Sequence, residues 1–147
     1  MRFIISAVMA AFAFIVSTSS ISAQESGVIK IALLYPADSG VGRVFQVWAR
    51  AVDSRTNGAV QLDFDWTSGD EGSLIQRMKD GSLDGALLTS SGLSKVSQPV
   101  HRFEIPGSGG GIVISSKSLE KLSKEQQAVL VETANVAAKN LTRALPH

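Results

Sequence analysis

The feature that most limits the fold of this chain is an alternation of strand patterns and helix patterns over residues 28–89. A near-continuous apolar run at 28–35 predicts a central strand that is covered on both faces. Residues 59–66 alternate strictly between apolar and polar, which predicts a half-exposed strand at a sheet edge. Residues 84–89 predict a third strand, and an amphipathic helix pattern lies in each interval. This order favours right-handed crossovers and parallel pairing, so we expect an α/β sheet with helices on both faces.

The second half of the sequence predicts a strand of opposite direction and a long helix. The run at 112–114 is a strand pattern, and it follows a short extended piece at 101–105 and a glycine-rich connection. That connection is too short for a parallel crossover, so this strand should run against the first three in a mixed, mostly parallel sheet. Ser123 and Gln126 have the spacing of a capping box, which predicts the start of the last helix.

The N-terminus has the three parts of a secretory signal. Arg2 precedes a short apolar stretch at 3–16, and small residues follow at 17–23. We expect residues 1–23 to be a signal peptide that is cleaved after Ala23, and residues 24–147 to form one domain. The alternative is an uncleaved N-terminal anchor, because Ile21 is bulky for the third position before the cut.

Composition excludes several classes of function. Without Arg2 the chain has thirteen Lys and Arg against thirteen Asp and Glu, and no basic stripe, so we expect no nucleic-acid partner. It has no cysteine, which excludes disulfides, thiolate metal sites and a cysteine nucleophile. The chain has two histidines and neither a hydrolase motif nor a zinc-binding motif, so no set of catalytic residues can be named. We therefore expect that the protein is not an enzyme and has neither a cofactor nor a metal.

Several segments, in order, resemble one protein family. Residues 76–89, ending in Leu-Asp-Gly-Ala-Leu-Leu-Thr, are similar to its passage from helix to strand, and 103–107 resemble the segment that leaves its first lobe. Residues 112–126 resemble its later strand and helix. The family is that of the periplasmic solute-binding proteins of tripartite ATP-independent (TRAP) transporters, also called the DctP family. The resemblance implies a periplasmic-binding-protein fold of the type II-like kind.

The chain departs from the family where the first lobe ends. Family members have two α/β lobes that close on a ligand, and the second lobe typically carries an arginine that pairs with a ligand carboxylate. Here the sequence passes through residues 107–111 directly into the later strand. The resemblance therefore implies a single lobe, with the family's second lobe absent at about 107–111.

Candidate binding residues lie in the three loops that follow the parallel strands, since ligands of open α/β sheets sit at the carboxyl ends of strands. In a functional interpretation the aromatic side chains of these loops make apolar contacts with a ligand, and the polar side chains form hydrogen bonds with it. In the alternative, Ser39 is a helix cap, Trp66 a core-edge aromatic, and the others ordinary turn residues. The candidates are Tyr35, Asp38, Ser39, Trp66, Ser68, Thr89 and Ser90.

Other polar groups are better explained as surface. His101 and Arg102 are adjacent in an extended segment and should point to opposite sides. Asp63 and Asp65 alternate on one strand, where a charged edge resists aggregation. The glycines at 109–111 precede a strand and lack the ending of a phosphate loop, so we expect a flexible junction.

Two functions from different classes remain. The resemblance implies the periplasmic solute-binding component of a TRAP-type system that captures a small organic acid or dicarboxylate and delivers it to membrane permease subunits. The alternative is a one-lobed periplasmic interaction module, or a degenerate remnant without solute capture. A lone lobe offers one wall of a pocket, and a homodimer or a separate second-lobe protein would supply the other.

Overall fold

The computed structural model describes residues 27–67 and 69–146. The predicted signal peptide and Ser68 lie outside the described residues. The five strands are β1 (Gly27–Leu33), β2 (Val60–Trp66), β3 (Gly85–Leu88), β4 (Val100–Glu104) and β5 (Gly111–Ser115). The five helices are α1 (Gly40–Arg55), α2 (Glu71–Asp80), α3 (Ser90–Ser94), α4 (Ser116–Glu120) and α5 (Lys124–Ala144).

The strands form one mixed sheet in the order β2-β1-β3-β5-β4. β1 pairs in parallel with β2 and with β3, as the alternating pattern predicts. β5 runs antiparallel to β3 and to β4. The predicted mixed, mostly parallel α/β sheet is therefore confirmed, and β2 lies at an edge as expected. The extended piece near residue 101 is a full edge strand, because it pairs along its whole length with β5.

Helices cover both faces of the sheet, and each face has its own core. On one face, α1 and α5 pack over alternate residues of the central strands, including Ile31 and Ile112. On the other face, Leu74 and Met78 of α2 pack over Ala86. Alternate residues of one strand enter opposite cores because side chains of a strand point to opposite faces.

The helix ends follow local chemistry. Ser123 accepts a hydrogen bond from the Gln126 backbone N–H, and the Gln126 side chain accepts one from the Ser123 N–H, so the predicted capping box is confirmed. After α1, Asn57 has a φ of 52°, and Gly81 after α2 has a φ of 88°. Two single-turn helices, α3 and α4, were not predicted, because five residues are too few to show a helical period.

Candidate functional site

The carboxyl ends of the parallel strands meet at one edge of the sheet. Leu33 at the end of β1 lies beside Trp66 at the end of β2, and the Thr67 N–H donates to the Leu33 carbonyl at 3.0 Å. β3 ends next to β1, so the loop at 89–90 lies beside the loop at 34–39. We call this the carboxyl edge. The three loops that carry the candidate residues are therefore neighbours, as the topology predicted.

The β4–β5 hairpin completes the carboxyl edge. Its turn has Pro106 in second place and Gly107, with a φ of 80°, in third, and the Ser108 N–H donates to the Ile105 carbonyl at 3.2 Å. The hairpin then passes close to the end of β3. A Cβ on Gly110 would lie 2.7 Å from the Leu88 carbonyl oxygen, so this approach requires glycine. The glycine run thus makes a tight, hydrogen-bonded junction and not the loose one that the sequence indicated.

The first loop fixes the start of α1. The Ser39 hydroxyl accepts from the Gly42 N–H at 3.0 Å and donates to the Pro36 carbonyl at 2.6 Å. Ser39 is therefore the N-cap, which was the alternative interpretation of this residue. Tyr35 is half-buried against the larger core, and Asp38 is exposed.

Aromatic rings line the end of β2. The Phe64 ring lies 5.4 Å from the Trp66 ring and 5.6 Å from the buried Phe45 ring. These centroid separations are typical of favourable aromatic pairs. Trp66 is half-buried at the end of this row, so it anchors the loop and keeps part of its surface at the carboxyl edge.

The third loop is held by a residue that sequence reasoning missed. The Glu71 carboxylate accepts from the Thr89 backbone N–H at 2.7 Å and from the Thr89 hydroxyl at 2.9 Å. Thr89 is also the N-cap of α3, and its hydroxyl accepts from the Gly92 N–H at 3.3 Å. Ser90 is exposed and lies against the hairpin, since a Cβ on Gly109 would be 3.2 Å from the Ser90 Cβ. An acidic residue in a first helical turn was a local signal, but its partner lies 18 residues away.

The charge of the carboxyl edge is negative. The loops and helix starts at 34–39, 67–71, 89–94 and 104–110 contain no Lys and no Arg. They contain four acidic residues, which are Asp38, Asp70, Glu71 and Glu104. These segments therefore carry no cationic side chain of their own, and the Arg102 guanidinium reaches one of them from β4, where it donates to the Leu93 carbonyl at 3.3 Å.

The ionisable groups whose pKa values are shifted lie away from this edge. The hydrogen bond and ion pair with Arg55, at 2.8 Å, hold the pKa of Glu132 below its ordinary value. The same pair raises the pKa of Arg55. Hydrogen bonds from the Ser82 side chain and backbone lower the pKa of Asp80.

The remaining polar candidates lie on the surface. His101 and Arg102 are both exposed on the edge strand, as expected, and the Arg102 guanidinium also donates to the Leu93 carbonyl at 3.3 Å. Asp63 is exposed, whereas Asp65 forms an ion pair with Arg77 at 2.7 Å. Within residues 27–67 and 69–146, no cluster of three metal-ligating side chains occurs. No helix in the described part of the chain has the length and apolar character needed to cross a membrane.

Comparisons with known proteins place the fold. No protein-family model matches the sequence, and no curated protein matches it. Among solved structures, a TRAP periplasmic solute-binding protein from Escherichia fergusonii, in an apo open state, matches with a TM-score of 0.62 and 14% identity over 80% of this chain and 82% of the other. One from Bordetella bronchiseptica with bound mandelate matches with a TM-score of 0.63 and 10% identity over 80% and 78%.

A third match is the TRAP protein from Chromohalobacter salexigens with bound D-glucuronate. Its TM-score is 0.62 at 12% identity, over 78% of this chain and 81% of the other. The mixed sheet with helices on both faces is an α/β fold of the periplasmic-binding-protein kind. More narrowly, the chain has the fold of the TRAP periplasmic solute-binding proteins.

Proposed function

We propose that this protein is the periplasmic solute-binding component of a TRAP-type transport system, that it is exported with cleavage near Ala23, and that it is not an enzyme. The observation that carries the proposal is its mixed five-stranded sheet, which matches solved TRAP solute-binding proteins with TM-scores of 0.62 and 0.63. Two of those proteins hold an organic acid, mandelate or D-glucuronate. We therefore assign the solute to the class of small organic acids, and the downstream partner to membrane permease subunits.

The carboxyl edge is the proposed solute-binding wall. In this proposal Tyr35 and Trp66 make apolar contact, because both are half-buried and adjoin the loops of the edge. Asp38, Ser68 and Ser90 supply polar contacts. Ser39 and Thr89 act mainly through the loops they hold, since their hydroxyl groups are already engaged in hydrogen bonds.

A single wall implies a second component. Ligand pockets bury about 70–90% of a small molecule, which the edge of one sheet cannot do. The resemblance puts the carboxylate-binding arginine on a second lobe, and the hairpin at 105–110 stands where that lobe would be inserted. We propose that residues 24–147 form one lobe, and that a second copy or a separate second-lobe protein covers the carboxyl edge.

A second candidate function has its own support. The engaged Thr89 hydroxyl and the lack of Lys or Arg in the edge loops favour a one-lobed interaction module, or a remnant, that captures no solute.

Calorimetric titration separates the two modes of binding. We expect the monomer to bind mandelate, D-glucuronate and pyruvate weakly or not at all. Losing one partner of a buried charge-assisted pair costs roughly 2–5 kcal/mol, or about thirty- to several-thousand-fold in affinity. Binding that appears only with the dimer or an added second-lobe protein supports the proposal. Micromolar binding by a monomer verified by light scattering would contradict the single-wall arrangement, and no binding in any state favours the interaction module.

A further inference from the structure

One carboxylate already lies on the candidate wall, and it belongs to the protein. Both oxygens of Glu71 are used, one on the Thr89 backbone N–H at 2.7 Å and the other on the Thr89 hydroxyl at 2.9 Å. Hydrogen bonds to an ionised carboxylate are roughly twice as strong as neutral ones. Glu71 therefore occupies a two-point donor pair of a kind that could also bind the carboxylate of an organic acid.

The Glu71 carboxylate lies directly against Gly92. A Cβ on Gly92 would overlap the Glu71 carboxylate oxygen, so a side chain at position 92 is incompatible with the contact. The contact joins the start of α2 to the loop after β3, which are 18 residues apart. Because the scaffold holds both ends, Glu71 is present at the donor pair at a high effective concentration.

The neighbouring charges act in the same direction. Asp38, Asp70 and Glu104 also lie in the segments of the carboxyl edge, and none of these segments contains Lys or Arg. A solute carboxylate that approached Thr89 would have to displace Glu71, on an edge whose own segments carry three more acidic side chains.

We propose that Glu71 is a specificity-determining residue that occupies the carboxylate-binding donors of this wall, so that a solute turns its uncharged part toward this lobe. The carboxylate of the solute is then left to a covering surface other than a second carboxyl edge, because a second copy of that edge would have the same occupied donors. This inference rests on the proposed function for its biological meaning. Its physical content, which is occupancy of the Thr89 donors by Glu71, is tested without any transport assay.

The test uses acetate as the probe and the backbone amide signal of Thr89 as the readout. Purified protein is titrated with sodium acetate at constant ionic strength, set with chloride, and two-dimensional amide NMR spectra are recorded. We expect no saturable acetate shift at Thr89 in the wild type. In Glu71→Ala the donors are free, so acetate should shift the Thr89 and Gly92 amides saturably. The half-saturation should lie at least about tenfold below the highest acetate concentration that leaves the wild type unshifted, a ratio equivalent to about 1.4 kcal/mol.

Three controls make the result specific. Glu104→Ala removes the same charge from the same edge without touching Thr89, and it should behave as wild type. Acetamide, the neutral analogue of acetate, should not shift Thr89 in Glu71→Ala. Glu71→Gln keeps the shape of the side chain but lacks the charge, so it should respond to acetate between the other two, and it carries the test if Glu71→Ala does not fold.

The outcomes are distinguishable from those of the proposed function. Saturable shifts at Thr89 that increase from wild type to Glu71→Gln to Glu71→Ala support the inference, whether or not the protein takes part in transport. Equal acetate response in wild type and Glu71→Gln, or an equal gain in Glu104→Ala, would overturn it.

Discussion

The hydrogen bond between Trp48 and Thr133 joins α1 to α5 and can be tested by a single substitution. The indole Nε1–H of Trp48 donates to the Thr133 hydroxyl at 2.9 Å, and that hydroxyl donates to the Val129 carbonyl at 2.7 Å. Trp48 is 2% exposed and Thr133 is 7% exposed, so both partners are buried. Thr133→Val keeps the shape of the side chain and removes the acceptor.

We expect Thr133→Val to lower the free energy of unfolding by about 1–3 kcal/mol, because a buried donor without a partner bears its full desolvation cost. For a domain of this size each kcal/mol lowers Tm by roughly 4 °C. Thr133→Ser keeps the hydroxyl and loses one methyl group, so it should cost about 0.8 kcal/mol. Urea denaturation followed by far-UV circular dichroism measures all the variants without depending on the fluorescence of Trp48.

A double-mutant cycle separates the hydrogen bond from packing. In a Trp48→Phe background the indole N–H is gone, so Thr133→Val should cost little, and the coupling energy should be at least about 1 kcal/mol. Equal costs of Thr133→Val in the two backgrounds, with a coupling below about 0.5 kcal/mol, would refute the reasoning.

Three further predictions concern a turn, a helix cap and an ion pair. Gly107→Ala should destabilise the hairpin by roughly 1 kcal/mol, because a φ of 80° is strained for alanine, whereas no atom lies within 4 Å of the new Cβ to cause a clash. Thermal denaturation measures the loss of stability, and an unchanged Tm would contradict the prediction. Ser123→Ala removes the capping box of α5 and should cost about 0.5–2 kcal/mol in urea denaturation, whereas full stability would mean that the cap is unimportant. Because the pKa of Glu132 is lowered, its contribution to folding stability is present above the ordinary value of 4.5 and is lost as the pH falls through the lowered pKa. A small Tm difference between wild type and Glu132→Gln at neutral pH should therefore disappear in acid. A Tm difference that grows in acid would contradict this sign.

The sheet topology was predictable because it depends on short-range patterns. Residues 59–66 alternate strictly, and Asn57 and Gly58 stop the preceding helix, so β2 has only one consistent position. The connection between β4 and β5 is too short for a crossover, which explains the antiparallel pairing of these two strands. It does not determine the direction of β5 relative to β3, because residues 89–110 lie between those strands. The capping box fixed the start of α5 in the same way.

The details of the candidate site were less predictable because they depend on contacts distant in sequence. Topology brought the loops of Tyr35, Trp66 and Thr89 together, but it did not reveal that Glu71 binds Thr89. No local pattern encodes that pair, since its geometry arises only when α2 and β3 pack together. For Ser39, local chemistry decided between the two interpretations, because a hydroxyl that precedes a helix satisfies a free N–H at its start.

Uptake of organic acids by intact cells tests the central claim most directly. Cells of the source organism with the gene for this chain deleted would be compared with the wild type. Two further strains would carry, in the deletion background, the full sequence or a version that lacks residues 2–23. Initial uptake of labelled D-glucuronate, mandelate, pyruvate and succinate would be measured in each. We predict that deletion lowers uptake of at least one of these acids, and that only the full sequence restores it. Unchanged uptake of every acid in the deletion strain would contradict the assignment to transport.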